Sequence, residues 1–231
     1  MTYSNAVLKR LARLKQKKHR ETKRLFLAEG LTLVEEATGP PEHLLTDPDA
    51  VKRLSTLTTP RGPVAVFPFL DLSAAEVLRT RDRILLLHAV QDPGNVGTVI
   101  RAAHAFGAGV ALSSGTADLY NPKTVRATMG SIFHAPVARE LQTLPFLEEA
   151  KASYFTPVAA VSQGGEKPSL LSADRLIIVV GAEGSGLPGE IVSACQGPIT
   201  IPALAASLNA AVAASILLYE AYMRVLPLPP E

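Results

Sequence analysis

Three short stretches of this 231-residue chain, two of them rich in glycine, set polar side chains in turns that follow apolar runs, where a reacting group could be held. The first, DPGNVGTVIRAA over 92–103, follows an apolar run at 84–90. A polar turn containing Gly94 and Gly97, placed where a parallel strand hands over to a helix, is where open α/β sheets take ligands. Asn95 in that turn also suits an ordinary helix cap. Arg101, six residues further along an otherwise apolar helix, resists a purely structural account.

The second stretch, VVGAEGSGLPGE over 179–190, is again a strand running into a glycine-rich loop. Gly181, Gly184 and Gly186 allow close backbone approach, but their order is not G-x-G-x-x-G and no P-loop lysine follows. Both absences argue against NAD and nucleoside triphosphates. Glu183 within the loop would repel phosphates and suits a cationic ligand, of which S-adenosylmethionine, with its sulfonium and ammonium groups, is one. The third stretch, TIPALAASLNAAVAASILLYE over 200–220, is a strand end, a tight loop, and then Ser207 and Asn209 opening a long helix of small residues. Ser207 fits the N-cap position there.

The elements that must carry these stretches alternate. Continuous apolar runs predict strands at 84–90, 109–112, 156–161, 176–181 and 199–201. Helical periodicity predicts helices at 95–106, 123–130, 144–152, 188–194 and 207–224. That alternation implies an α/β domain with a mostly parallel sheet over 83–226. Residues 1–75 read as a smaller α/β unit, with a basic amphipathic helix at 6–18, strands at 25–28, 43–45 and 64–67, and helices at 30–38 and 50–57. Residues 68–82 show no strong pattern and mark the boundary. Residues 227–230, rich in proline, read as a stiff tail.

Composition narrows the function classes. With 47% hydrophobic and 19% charged residues, the chain can bury a sizeable core. A single cysteine, Cys195, precludes an intramolecular disulfide and a cysteine-based zinc cluster within one chain, which points to a reducing, cytoplasmic setting. The N-terminus lacks the apolar core of a signal peptide. Residues 203–218 are interrupted by Ser207, Asn209 and Ser215, so they read as a buried helix rather than a membrane span. Asparagine is restricted to positions 5, 95, 121 and 209, a weak sign of a protein kept hot. The net charge of +2 conceals a dense basic block: Lys9, Arg10, Arg13, Lys15, Lys17, Lys18, Arg20, Lys23 and Arg24 stand against the one acid Glu21. Such a block fits a polyanion, although charge alone is also compatible with a solvated helix face.

Taken together and in this order, the three stretches resemble the signature motifs of the SpoU (TrmH) branch of the SPOUT RNA methyltransferases. NPKTVRATMG over 121–130 is similar to the segment between that family's first two motifs. KRLARLKQKKHRETKRLFLAEG over 9–30 is similar to the ribosomal-protein-like RNA-binding domain of members that act on ribosomal RNA. Only Ala203–Ala206 separate the Ile-Pro pair from Ser-Leu-Asn, fewer residues than relatives have, and they lack the relatives' methionine and glycine.

The resemblance implies a C-terminal domain tied in a deep trefoil knot, an exception to the rule that chains do not thread loops. It implies S-adenosylmethionine held by backbone at Gly181, Ile201 and Leu208, with Gly184 and Gly186 shaping the loop. The implied reaction is methyl transfer to a ribose 2′-hydroxyl, without a metal. Arg101 would act on the hydroxyl's charge, and Asn95, Glu183, Ser207 and Asn209 would fix loops and orient substrate. The partner would be RNA, ribosomal before transfer, and no membrane. A homodimer is implied, packed on alanines 210, 211, 213 and 214, with Asn95 and Arg101 of one subunit facing the other's cofactor. A base-modifying relative and a catalytically silent RNA-binding protein are the rival readings.

Overall fold

The computed structural model describes residues 3–60, 62–168, 171 and 173–224. The N-terminal unit comprises helices α1 (Asn5–Ala12), α2 (Lys17–Lys23), α3 (Leu31–Glu35) and α4 (Pro48–Leu54), and strands β1 (Leu25–Glu29), β2 (His43–Leu45) and β3 (Val64–Pro68). Its antiparallel sheet has the order β1-β3-β2. Helix α5 (Ala74–Thr80) leads to the larger unit: β4 (Arg83–His88), α6 (Pro93–Ala105), β5 (Gly109–Ser113), α7 (Pro122–Ala127), β6 (Val137–Leu141), α8 (Thr143–Ala152), β7 (Thr156–Ala160), β8 (Leu176–Gly181), α9 (Gly189–Ala194), β9 (Pro198–Ile199) and α10 (Ala210–Met223). Its six strands lie in the order β6-β5-β4-β8-β7-β9, all parallel.

The apolar runs are explained by burial on both sheet faces. Leu85, Leu87, Val110, Ile178 and Val180 pack into one core with α6 and α10, while Ile84, Leu86, Ala111, Ile177 and Val179 pack into a second with α5, α8 and α9. The first core continues into the small unit through Phe26, Ala28, Ala65 and Phe67, so the two units share apolar packing.

Several expected elements need correction. The basic helix expected over 6–18 is broken: α1 passes into a 3-10 turn at Arg13–Lys15, and Gln16 is extended (φ −99°, ψ 133°) before α2 begins. The Arg20 guanidinium folds back onto the carbonyls of Leu14 and Lys15, at 2.8 and 2.9 Å, and so satisfies acceptors left by that break. Residues 68–82 are not featureless. Ser73 and Glu76 form a reciprocal capping box that starts α5. Strand β6 was not expected either, because its outer half carries Arg139 and Glu140 rather than an apolar run. The 227–230 tail, and the last two residues of the expected 83–226 domain, lie outside the described residues.

Candidate functional site

The glycine-rich second stretch and the third stretch meet in one cleft of about 530 Å³ at the C-terminal ends of β7 and β8. Gly181, Glu183, Gly184, Gly186, Ile201, Ser207, Leu208 and Asn209 all line it. Val161 and Ser162, which follow β7, line it too and were not foreseen. Their position at the end of a parallel strand was the available signal. Gly181 is obligatory: a Cβ there would sit 2.4 Å from the backbone carbon and oxygen of Gly186, which cannot yield like a side chain. The turn that brings Gly186 so close is closed by Gly186 N–H donating to the Ala182 carbonyl at 2.9 Å, with Gly184 and Gly186 at φ 85° and 65°.

One hydrogen-bond chain joins all three stretches. Asn209 Oδ1 accepts from the Ala211 and Val212 amides, at 2.9 and 3.2 Å, and caps α10. Asn209 Nδ2 donates to Asn95 Oδ1 at 3.0 Å, and Asn95 Nδ2 donates to Glu183 Oε1. Every donor points the same way, from the α10 N-terminus toward the carboxylate. The caps are therefore not those the sequence suggested. Asp92 caps α6 by accepting from Gly94 N–H, which leaves Asn95 buried inside the helix, and Asn209 rather than Ser207 caps α10.

Arg101 does not join this group. Six residues after Asn95, it points roughly 120° away around the helix. It is exposed and makes no hydrogen bond or ion pair among the described residues. The Asn95 side-chain amide bonds to Glu183 and Asn209 of its own chain. Three of the four alanines expected at a dimer contact, Ala210, Ala211 and Ala214, are buried in their own core. The exposed face of α10 is instead Val212, Ile216, Tyr219 and Met223.

The basic block divides. Lys9, Arg10, Arg13, Lys17, Lys18, Lys23 and Arg24 are exposed and Lys15 is partly so. Lys17 Nζ lies 3.1 Å from Glu140 Oε1. Arg20 departs from the expected RNA contact: it is 3% exposed and its guanidinium sits 2.5 Å from Asp118 across the seam between the units. Beside it Tyr120 accepts from the Leu70 and Asp71 amides and donates to Asp71 Oδ1 at 2.7 Å, while Arg139 contacts both Glu21 and Asp71. Burial, with the Asp71 carboxylate alongside, pushes the Tyr120 phenol well above its usual range. Burial likewise raises the Cys195 thiol to about 11. No helix among the described residues is long and apolar enough to cross a membrane.

A six-stranded parallel sheet with a glycine-walled cleft at its strand ends, apolar at Ile199, Ile201, Leu208 and Leu217 and holding one carboxylate, fits a compact ligand bearing positive charge. The sheet and cleft define an α/β protein of the class that binds its ligand at the C-terminal strand ends. Residues 82–219 match the SpoU rRNA Methylase family and residues 5–66 an MRM3-like substrate binding domain. The chain is 36% identical over 246 residues to the 23S rRNA (guanosine(2553)-2′-O)-methyltransferase RlmP of Bacillus subtilis, covering 94% of this chain and 96% of that protein. Among solved structures, the AdoMet-bound rRNA methyltransferase of Sinorhizobium meliloti superposes with a TM-score of 0.88 at 30% identity, over 98% of each chain. The SpoU methyltransferase AviRb of Streptomyces viridochromogenes, solved in complex with AdoMet, gives 0.81 at 25% identity, over 96% of this chain and 98% of that one. The chain belongs to the SpoU family, and is an S-adenosylmethionine-dependent RNA ribose 2′-O-methyltransferase.

Proposed function

We propose that this enzyme methylates a ribose in 23S rRNA, as a cytoplasmic homodimer whose residues 1–75 hold RNA and whose residues 83–226 carry the chemistry. The observation that carries the site assignment is the chain of amides from α10 through Asn209 and Asn95 to Glu183, because it ties all three motifs to one cleft. Similarity to RlmP favours 23S rRNA over transfer RNA. When bound, S-adenosylmethionine supplies an already activated methyl group, so the protein's task is to place a hydroxyl in line and remove its proton. Backbone at Gly181, Ile201 and Leu208 holds the cofactor, and the amide chain fixes the Glu183 carboxylate where it can face positive charge. Ser207, exposed at the cleft and free of any capping duty, orients the substrate.

Arg101 acts on the hydroxyl as a clamp. A guanidinium stays protonated above pH 12 or so, which makes it a poor base and a good partner for a phosphate and a developing alkoxide. Because Arg101 points away from its own cleft, it serves the partner subunit's. The apolar stripe Val212, Ile216, Tyr219 and Met223 on α10, which packs against α6, supplies the surface on which two copies meet. The trefoil knot is supported by the position of β9: Ile199 pairs with Ala160 of β7 on one side and with Glu166 on the other before α10 returns to β8. Tritiated methyl transfer to unmodified 23S rRNA and to tRNA, followed by nucleoside digestion, tests the reading. A 2′-O-methyl nucleoside from 23S rRNA is expected, and label only in tRNA would reassign the target.

A further inference from the structure

The basic block and the cofactor cleft lie at the same edge of the large sheet. In a parallel sheet all C-terminal strand ends fall on one side, and the cleft opens at that end of β8. Lys17 reaches that edge as well, its Nζ 3.1 Å from Glu140, the penultimate residue of β6. From β6 to β8 is three strand steps, or roughly 14 Å.

Between these two points lies a continuous polar ledge. Gln142 Nε2 donates to Ser114 Oγ at 3.2 Å, and Ser114 N–H donates to the Leu141 carbonyl at 2.8 Å, joining the ends of β6 and β5. Ser113 Oγ accepts from the Ala89 amide at 2.9 Å and Thr116 Oγ1 donates to the Leu87 carbonyl at 3.1 Å, joining β5 to β4. Gln91, Ser114, Gly115 and Gln142 are exposed along it. The acids on the same edge already hold donors: Glu140 has Lys17, Asp92 has the Gly94 amide, Glu183 has Asn95. Glu190 faces His88, which is itself bonded to Thr143. Two strand ends, Ala89 (φ 53°) and Glu140 (φ 56°), keep left-handed backbone that costs energy for side chains with a Cβ.

We infer that the RNA strand reaches the cleft along this ledge, over Gln142, Ser114 and Gln91 of the same protomer whose basic block anchors it. Exposed amides and hydroxyls next to lysines suit sugar and phosphate contacts, which hold a strand without reading its sequence. The ledge is too poor in large apolar side chains to favour a protein partner, with Leu144 alone exposed beside it.

The inference rests on the basic block binding RNA, so the two are tested apart. Gln142→Glu, Gln142→Lys and Gln91→Glu are made in the full chain, and methylation of unmodified 23S rRNA transcript is followed at several salt concentrations. Gln142→Glu and Gln91→Glu should raise KM for RNA up to about fivefold, the scale of one screened surface charge, and Gln142→Lys should lower it. Cofactor affinity by calorimetry should stay unchanged, and the KM effects should shrink as salt rises. Both Gln142 substitutions remove the amide that donates to Ser114 Oγ and differ from each other in the sign of charge, so a merely structural role would move KM in one direction for both. That result, or an unchanged KM in all three variants, overturns the path. If instead neutralising Lys15, Lys17 and Lys18 leaves RNA affinity intact while the ledge variants respond, the anchor assignment falls and the ledge stands.

Discussion

The seam between the two units and the cofactor cleft are both built from polar side chains, but the seam is closed and the cleft is open. At the seam Arg20 meets Asp118 and two carbonyls, and Arg139 meets Glu21 and Asp71, so charges are matched within the protein. Aromatic rings cover them: Phe69 stacks on Tyr120 at 3.8 Å, with the Arg24 and Arg139 guanidiniums 4.7 and 5.0 Å from the Phe69 ring. In the cleft the amide chain ends on Glu183, an exposed carboxylate with capacity to spare. A closed network contributes rigidity, whereas an open one keeps acceptors for a ligand. Substitutions at the seam should therefore alter stability before chemistry, and those serving the cleft should do the reverse.

The largest effect is expected at the seam. Arg20→Ala leaves Asp118 buried without its cation, a loss of about 3–5 kcal/mol for a broken buried pair. Denaturant unfolding should show it, while cofactor affinity at low temperature holds near wild type. Next comes Arg101→Ala, which should cut turnover by about 100-fold or more, the scale of one lost contact to a developing anion, with calorimetric cofactor affinity nearly unchanged. Arg101→Lys should recover part of the rate if the residue is a clamp, because the charge remains. Wild-type turnover in Arg101→Ala would remove it from the mechanism. Asn209→Ala should be smaller on the stability scale, about 1 kcal/mol for a lost N-cap. It should nonetheless weaken cofactor binding, because Asn95 then loses the donor that orients it toward Glu183. Unchanged binding, measured by titration, would separate the cap from the site.

Five of the six strands of the large sheet were legible because runs such as Ile84–Leu87 and Leu176–Val180 are buried on both faces and need no polar alternation, while β6, with Arg139 and Glu140 in its outer half, was not. The cleft was legible through its glycines, whose backbone approach is a local property of the chain. The seam was not. Arg20 looks like its eight basic neighbours, and only the distant Asp118 singles it out. The same holds for Asn95, which sequence could equally make a cap, until Asn209, 114 residues on, is seen to donate to it. Helix α5 is a different case, since the Ser73–Glu76 spacing carried the capping signal and its short apolar content hid it.

The smallest expected effect is one of pH, and it too divides seam from cleft. Burial alone would raise the Asp71 carboxyl, but the Tyr120 hydroxyl and the charges of Arg139 and Arg24 outweigh it and hold Asp71 below its ordinary value of 3.8. A carboxyl whose folded value is depressed binds its proton more readily in the unfolded chain. Its stabilising contribution is therefore complete above about pH 4 and is lost as pH falls through the lower folded value. Asp71→Asn keeps an acceptor for the Tyr120 hydroxyl and removes the titration. The variant should melt at a lower temperature than wild type at pH 6, and the gap should narrow from pH 5 toward pH 3. Every other acid is the same in both proteins, so the difference between the two melting curves isolates Asp71. A gap that stays constant over that window would mean that the seam draws nothing from this charge and that Tyr120 and the stacked rings hold the two units together.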